Sequence, residues 1–107
     1  MSPPDAPVPG PPPALVARFL DRLGERLRRF AELERSPAPE SREEMRQLAH
    51  ALAGTSGTFG FPRLGDRARA LERLLEEFTD PRKLADAVHD LLVEGEQARQ
   101  RRLDEGR

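Results

Sequence analysis

Apolar residues recur every three or four positions between residues 14 and 35, with Arg and Glu between them. This spacing places them on one face of an α-helix, so it predicts an amphipathic first helix over 14–35. The stripe consists of Leu15, Val16, Phe19, Leu20, Leu23, Leu27, Phe30 and Leu33. The segment 36–39 (SPAP) ends this helix, because each proline disfavours helical backbone in the residue before it.

The second helical pattern follows this stop. Ser41, with Glu44 three positions later, is typical of a capping box, so we expect a helix to open near residue 41. Its apolar stripe extends to Phe59, and Gly60 is the expected stop. The pattern therefore predicts a second helix from about 41 to 59.

Two more helical patterns complete the chain. Pro62 suits the first turn of a third helix, whose apolar stripe extends to Phe78. The segment 79–81 (TDP) interrupts the pattern before a fourth helix, which we expect to fray beyond Gly95.

No segment alternates apolar and polar residues with a period of two, and no internal repeat is present. Four helices with short connections predict an all-α fold, an antiparallel up-down four-helix bundle over 14–103. Residues 1–13 hold seven prolines and almost no apolar side chain, which predicts a disordered Pro-rich leader.

Composition excludes several functions. The 107 residues include no Cys, so disulfides, thiolate metal sites and cysteine nucleophiles are excluded. The net charge of −1 argues against nucleic-acid binding. Neither a signal peptide nor a membrane-spanning stretch is recognisable, so we expect a cytoplasmic protein with no membrane partner. The spacing of the two histidines, His50 and His89, does not suggest a metal site.

His50 is the candidate for chemistry. A helical wheel places it opposite the apolar stripe of the second helix, so it should face solvent. The same face carries Glu43, Arg46, Gln47, Gly54 and Gly57. Each mid-helix glycine costs about 1 kcal/mol relative to alanine, so a pair beside one exposed histidine suggests that another protein approaches closely there. The alternative is an ordinary surface histidine, which is how we interpret His89.

The segment 50–61, HALAGTSGTFGF, resembles the signature of histidine phosphotransfer (HPt) domains. In that family the motif lies on the second helix of a four-helix bundle and reads His, any residue, apolar, Lys, Gly, then small and apolar residues. The GTFGF stretch is especially similar to the phosphotransfer domain of chemotaxis histidine kinases. The matching positions are His50, Leu52, Gly54, Ser56, Phe59, Gly60 and Leu64.

The resemblance implies a function. His50 would carry a phosphoryl group between aspartates of response-regulator receiver domains, or from a histidine kinase to a receiver. The chain would be a phosphoryl carrier rather than a self-sufficient kinase. It would need no cofactor of its own, because Mg²⁺ is expected in the partner receiver domain.

The resemblance also suggests a partner for the histidine. In the chemotaxis-kinase version, a glutamate on the third helix, 22 residues after the histidine, hydrogen-bonds it, and here that residue is Glu72. Both positions are equidistant from residue 61, so an antiparallel hairpin places them at the same height, and Glu72 is expected to orient His50. The alternative is that Glu72 pairs with Arg69 or Arg73 on the helix surface.

One position departs from the family pattern, because Ala53 stands where the family usually has Lys. That lysine is understood to hold phosphate near the histidine, and Arg46 or Gln47, one turn before His50, is the candidate replacement. The predicted receiver-docking positions are Gly54, Gly57, Ala53 and Glu43. Ala53 also favours an alternative function, a helical-bundle adaptor or dimerisation module with a vestigial phosphotransfer site.

Overall fold

The computed structural model describes residues 10–36, 38–77 and 80–105, with side chains to residue 101. The helices are α1 (Pro13–Arg35), α2 (Pro39–Ser56), α3 (Pro62–Glu76) and α4 (Pro81–Glu105). Each begins at a proline, whose fixed φ suits the first helical turn and whose missing N–H would have no intrahelical partner there. Residues 1–9, which form most of the predicted disordered leader, lie outside the described residues.

The helices form the predicted antiparallel up-down bundle. Each contacts its two neighbours in the cycle α1, α2, α3, α4, and the contact between α2 and α3 is the most extensive. The core holds the apolar stripes identified from the sequence, except that Leu15, the first residue of the α1 stripe, is 45% exposed and lies outside it. Its largest fully buried apolar side chains are Leu23, Phe30, Leu52, Leu64, Leu71, Val88 and Leu91.

Helix α2 begins earlier than predicted, at Pro39 with Ala38 as its N-cap, and no side chain caps it. The Ser41 hydroxyl instead donates a hydrogen bond to the Ser36 carbonyl, at 2.7 Å. The predicted capping box is therefore wrong. Proline at the first helical position starts the helix two residues upstream, which leaves Ser41 inside the first turn.

Gly60 ends the hydrogen-bonded turn that follows α2. The regular helix stops at Ser56, three residues before the predicted end at Phe59. Beyond it, the Phe61 N–H donates to the Ser56 carbonyl at 2.8 Å and the Gly60 N–H to the Gly57 carbonyl at 3.1 Å. Gly60 has a φ of 90°, which completes a Schellman-type C-cap and turns the chain toward α3.

Helix α3 ends at Glu76. Phe78, the last residue of the predicted third helix, lies outside the described residues. Helix α4 continues past Gly95 to Glu105, so the predicted fraying there is wrong. The physical reason is packing: a Cβ placed on Gly95 would lie 2.7 Å from Leu27 Cδ2 on α1, and the next turn buries Ala98 completely. Close contact with α1 offsets the low helix propensity of glycine.

Three aromatic rings fix the end of the bundle where α2 turns into α3. Phe59 stacks on Phe19 of α1 with ring centroids 4.8 Å apart, and Phe61 stacks on the same ring at 5.7 Å. Such stacked pairs contribute about 0.5–1.5 kcal/mol each beyond their buried area. They hold the α2–α3 hairpin against α1, and that hairpin carries His50.

Candidate functional site

His50 projects from α2 into solvent. Its side chain is 73% exposed, which confirms the orientation predicted from the helical wheel. On the opposite side of the helix, Ser56 is fully buried, and its hydroxyl donates to the Leu52 carbonyl at 2.7 Å. Ser56 is therefore a packing residue, whereas the imidazole of His50 is accessible to solvent.

Glu72 of α3 holds one nitrogen of the His50 ring. The Nδ1 atom lies 2.6 Å from Glu72 Oε2, so the contact expected from the hairpin register is confirmed. An ionised carboxylate only accepts hydrogen bonds, so Nδ1 carries the proton and donates it. The Glu72 side chain is only 16% exposed, whereas the ring is open to solvent. The lone pair of Nε2 is then free to act as a nucleophile.

The His50–Glu72 contact is one of a series along the solvent edge of the α2–α3 interface. We call the series the α2–α3 seam. Its members are Arg46, His50 and Ala53 on α2 and Gly57 just past its end, with Glu76, Glu72, Arg69 and Gly65 on α3. The two members of every opposed pair are equidistant from residue 61, because α2 and α3 are antiparallel. On each side of the seam, successive members are four or three residues apart, which is the spacing of residues that share one helix face.

Gly65 brings the helices together at one end of the seam. A Cβ on Gly65 would lie 3.5 Å from the Ala53 carbonyl oxygen and 3.8 Å from the Gly57 nitrogen. Gly65 is buried between α2 and α3. It sets the α2–α3 separation on which the other contacts of the seam depend.

The two candidate replacements for the missing lysine are both bound to Glu43. Arg46 donates to the Glu43 carboxylate through Nε at 3.0 Å and Nη2 at 2.7 Å, and Gln47 Nε2 donates to it at 3.2 Å. Arg46 Nη1 also lies 4.0 Å from Glu76 Oε1. In this arrangement neither donor is directed at the imidazole of His50.

The same hydrogen bonds keep Glu43 ionised. Those from Arg46, and then from Gln47, lower its pKa from 4.5 to about 2, and the pKa of Arg46 is raised chiefly by its hydrogen bond to Glu43. A carboxylate with a lowered pKa keeps its stabilising contact above its ordinary pKa and loses it as pH falls toward the lowered value. The Glu43–Arg46 pair is therefore intact near neutral pH.

The predicted docking positions divide into two groups. Gly54 and Gly57 are exposed, and a Cβ at either would meet no atom within 4 Å, so the surface beside His50 is open. Glu43 is also exposed. Ala53 is only 6% exposed and belongs to the core, so its side chain is not part of the docking face. The correction follows from geometry, because position 53 faces α3 across the seam.

Arg69 of α3 contacts the backbone of Ala53, whereas the sequence suggested it only as a surface partner of Glu72. Its Nη2 donates to the Ala53 carbonyl oxygen at 3.4 Å, and its Nη1 lies 3.3 Å from Asp66 Oδ1. The sequence could have indicated this contact, because positions 53 and 69 are equidistant from residue 61, as positions 50 and 72 are. Only the position of its guanidinium required the structure.

No group of three or more His, Asp or Glu side chains in the described part of the chain could hold a metal ion. His89 is an exposed residue of α4, as predicted, beside Asp90 and Arg63 on the α3–α4 face. Of the helices described, none is long and apolar enough to cross a membrane.

Comparison with known families agrees with this architecture. The family model of the Hpt domain matches residues 14–104, which include all of α2 and α3 and nearly all of α1 and α4. The chain belongs to the Hpt domain family. No curated protein and no solved structure matches it significantly. Membership of the Hpt family implies histidine phosphotransfer within phosphorelays, with receiver domains and kinases as the general class of partner. The narrower likeness to chemotaxis kinases stays a prediction.

The Glu72 contact leads to a prediction about the ring of His50. In the Glu72→Gln variant we expect a larger fraction of the uncharged ring to carry its proton on Nε2, because the carboxylate that fixes the proton on Nδ1 is gone. The ¹⁵N chemical shifts of the two ring nitrogens measure that fraction. Phosphoryl acceptance should slow by about fivefold, the effect of losing a hydrogen bond worth about 1 kcal/mol.

Glu76→Gln is the matched control, because Glu76 is a seam carboxylate one turn from Glu72 that contacts Arg46 rather than the histidine. We expect its ring shifts and acceptance rate to equal those of the wild type. Identical ring shifts in Glu72→Gln and wild type would show that Glu72 does not position the ring.

Proposed function

We propose that this Hpt domain carries a phosphoryl group on Nε2 of His50 and exchanges it with the phosphorylated aspartate of a response-regulator receiver domain. A histidine kinase is a further possible donor. The observation that carries the proposal is the pairing of an exposed imidazole with a carboxylate that occupies only Nδ1. This arrangement leaves one nucleophilic nitrogen facing any partner that docks on α2.

The proposed transfer is a single displacement at phosphorus. The Nε2 lone pair attacks the aspartyl phosphate, a P–N bond forms, the P–O bond to the aspartate breaks, and the aspartate leaves as a carboxylate. The ring gains positive charge as the bond forms, and the Nδ1 proton stays in the hydrogen bond to Glu72. Glu72 stabilises that charge, so its role is to position and polarise the ring.

Receiver docking is proposed for the surface around His50. Gly54 and Gly57 present no side chain there, and Glu43 lies at the other end of the same face. A partner backbone can therefore approach the imidazole closely enough for in-line attack. The Mg²⁺ expected in the receiver would neutralise phosphoryl charge from the partner's side, and this chain contributes no metal ligand to the proposal.

Arg46 and Gln47 have a secondary place in this proposal. Both lie one turn before His50 on α2, but their hydrogen bonds to Glu43 must open before either can contact a phosphoryl group. We assign them to the border of the docking face, where they would contact the receiver during transfer.

Incubation with phosphorylated receivers tests the proposed function. Receiver domains from the same genome are charged with ³²P and mixed with the full chain. Label is then sought on the chain as acid-labile, base-stable phosphate, the stability expected of a P–N bond to histidine. We expect rapid labelling by at least one receiver, and label from the small donor phosphoramidate on a slower timescale.

The alternative function, an adaptor or dimerisation module with a vestigial site, predicts a different result. Such a protein would accept no phosphoryl group from any receiver or from phosphoramidate, while still binding a partner or itself in a sedimentation experiment. That outcome would reject phosphotransfer.

A further inference from the structure

We propose that Arg69 of α3 is the residue that binds the phosphoryl group on His50, supplying from the neighbouring helix the positive charge that α2 lacks beside its histidine. The inference rests on the proposed phosphotransfer function and adds a residue to it. A phosphoryl group brings about two negative charges, and Glu72 already places a carboxylate oxygen 2.6 Å from Nδ1 of the same ring. A cation in this position would offset the repulsion between them.

The seam offers two cations, and they differ in how firmly they are held. Arg46 is bound by both oxygens of Glu43, at 2.7 and 3.0 Å, and has a second carboxylate, Glu76, at 4.0 Å. Moving it toward His50 would break a bidentate pair that is ionised near neutral pH. Arg46 is therefore already neutralised in the unphosphorylated protein.

Arg69 is held loosely. Its contacts are a 3.3 Å bond to Asp66 and a 3.4 Å bond to the Ala53 carbonyl, both longer than a typical hydrogen bond. The side chain is 57% exposed and its Asp66 partner is 75% exposed, so water screens that ion pair. A guanidinium has five N–H donors, so donors remain for phosphoryl oxygens while these contacts persist or exchange.

The position of Arg69 also suits the binding of a phosphoryl group on His50. Arg69 and Glu72 are three residues apart on one face of α3, and the partners they contact, Ala53 and His50, are three residues apart on α2. The guanidinium thus crosses the seam within one helical turn of the histidine. Arg73 lies outside the seam stripe, which makes it a natural control.

The core residue at position 53 explains why the cation comes from α3. Ala53 is buried against α3, and its carbonyl oxygen accepts a hydrogen bond from the guanidinium. Glu72 and Arg69 then form a pair with divided tasks on one helix: the carboxylate holds Nδ1, and the guanidinium binds the group attached to Nε2.

The test compares wild type, Arg69→Gln, Arg69→Lys and the control Arg73→Gln. Phosphoramidate serves as the donor, because it transfers its phosphoryl group to histidine with release of ammonia and needs no docking surface. We expect Arg69→Gln to slow acceptance and to shorten the phosphohistidine half-life, each by about fivefold, the effect of one charge-assisted hydrogen bond at an exposed site. Arg69→Lys should retain most of the wild-type rate, and Arg73→Gln all of it.

Two further measurements separate phosphoryl binding from a structural role. The ¹⁵N shifts of the unphosphorylated His50 ring should be the same in Arg69→Gln and wild type, because Arg69 acts only once the phosphoryl group is present. The advantage of wild type over Arg69→Gln should shrink as salt is raised, as expected for an exposed charge. Changed ring shifts, or an unchanged advantage at high salt, would assign Arg69 to the structure of the seam and overturn the proposal.

These measurements also distinguish the role of Arg69 from the phosphotransfer function on which it rests. A wild-type chain that accepts no phosphoryl group would refute both. Normal acceptance at His50 together with wild-type kinetics in Arg69→Gln would refute only the role of Arg69. Equal losses in Arg69→Gln and Arg73→Gln would also refute it, since general surface charge would then explain the effect.

Discussion

Replacing His50 by Gln is expected to abolish phosphoryl acceptance from receivers and from phosphoramidate alike. Glutamine fills a similar volume but has no nucleophilic ring nitrogen, so no P–N bond can form. The His50 side chain is 73% exposed, and its removal leaves the core untouched. The free energy of unfolding should therefore fall by no more than about 1 kcal/mol, the value of the lost hydrogen bond to Glu72. Acid-labile ³²P on the chain and a urea melt measure the two effects.

His89→Gln is the control, because His50 and His89 are the only histidines of the chain. His89 lies on α4, on the α3–α4 face rather than on the α2 face that carries His50. We expect this variant to be labelled at the wild-type rate. Label that survives in His50→Gln but disappears in His89→Gln would place the phosphorylation site on α4 and reject the assignment.

Replacing Gly54 by Leu should separate docking from chemistry. A side chain at position 54 meets no atom within 4 Å in the free protein, so the variant should fold normally and gain up to about 1 kcal/mol from higher helix propensity. The leucine would stand one turn from His50 on its own face, where the receiver is proposed to approach. A misfit there costs about 1–3 kcal/mol, so transfer from a receiver should slow by about fivefold to 150-fold.

The donor decides between the explanations for Gly54. Phosphoramidate is small enough to reach the ring beside a leucine, so acceptance from it should stay near the wild-type rate. Equal slowing with both donors would mean that the leucine disturbs the histidine rather than the docking of a receiver. An unchanged rate with the receiver would show that the docking face lies elsewhere.

Gly95→Leu provides the contrasting glycine variant. Here even a Cβ would lie 2.7 Å from Leu27 in the α1–α4 contact, so the substitution should destabilise the bundle by about 1–3 kcal/mol. The midpoint of urea unfolding should fall for Gly95→Leu and hold or rise for Gly54→Leu. The two glycines thus have opposite roles. Gly54 leaves the docking surface free of a side chain, and Gly95 allows α1 and α4 to pack closely.

The helices and their buried faces were predictable because the sequence patterns that determine them are local. The apolar stripes determined four helices and their buried faces, since a period of 3.6 residues needs no knowledge of the partner helix. The exposure of His50 followed from the same periodicity. The His50–Glu72 contact also followed, because equal distance from one turn fixes the height of two residues in an antiparallel hairpin, and the observed distance is 2.6 Å.

The helix boundaries were predicted less well, because competing local signals carry similar energies. Ser41 looked like an N-cap, but the upstream Pro39 started α2, and the hydroxyl bonded to Ser36 instead. Gly95 looked like a point of fraying, yet its lack of a side chain is what permits the close contact with Leu27 that holds α4. Propensity gave the wrong result there because tertiary packing outweighs about 1 kcal/mol of helix preference.

The electrostatic organisation of the site was decided by the tertiary structure. Sequence spacing along α2 made Arg46 the expected cation for His50, whereas Arg46 pairs with Glu43 of its own helix and Arg69 of α3 lies across the seam at Ala53. The contacts of His50 with Glu72 and of Arg69 with Ala53 depend on the distance between α2 and α3, which no single helix determines. Periodicity therefore determined which residues face each other, and only the packing of α2 against α3 determined which of them bond.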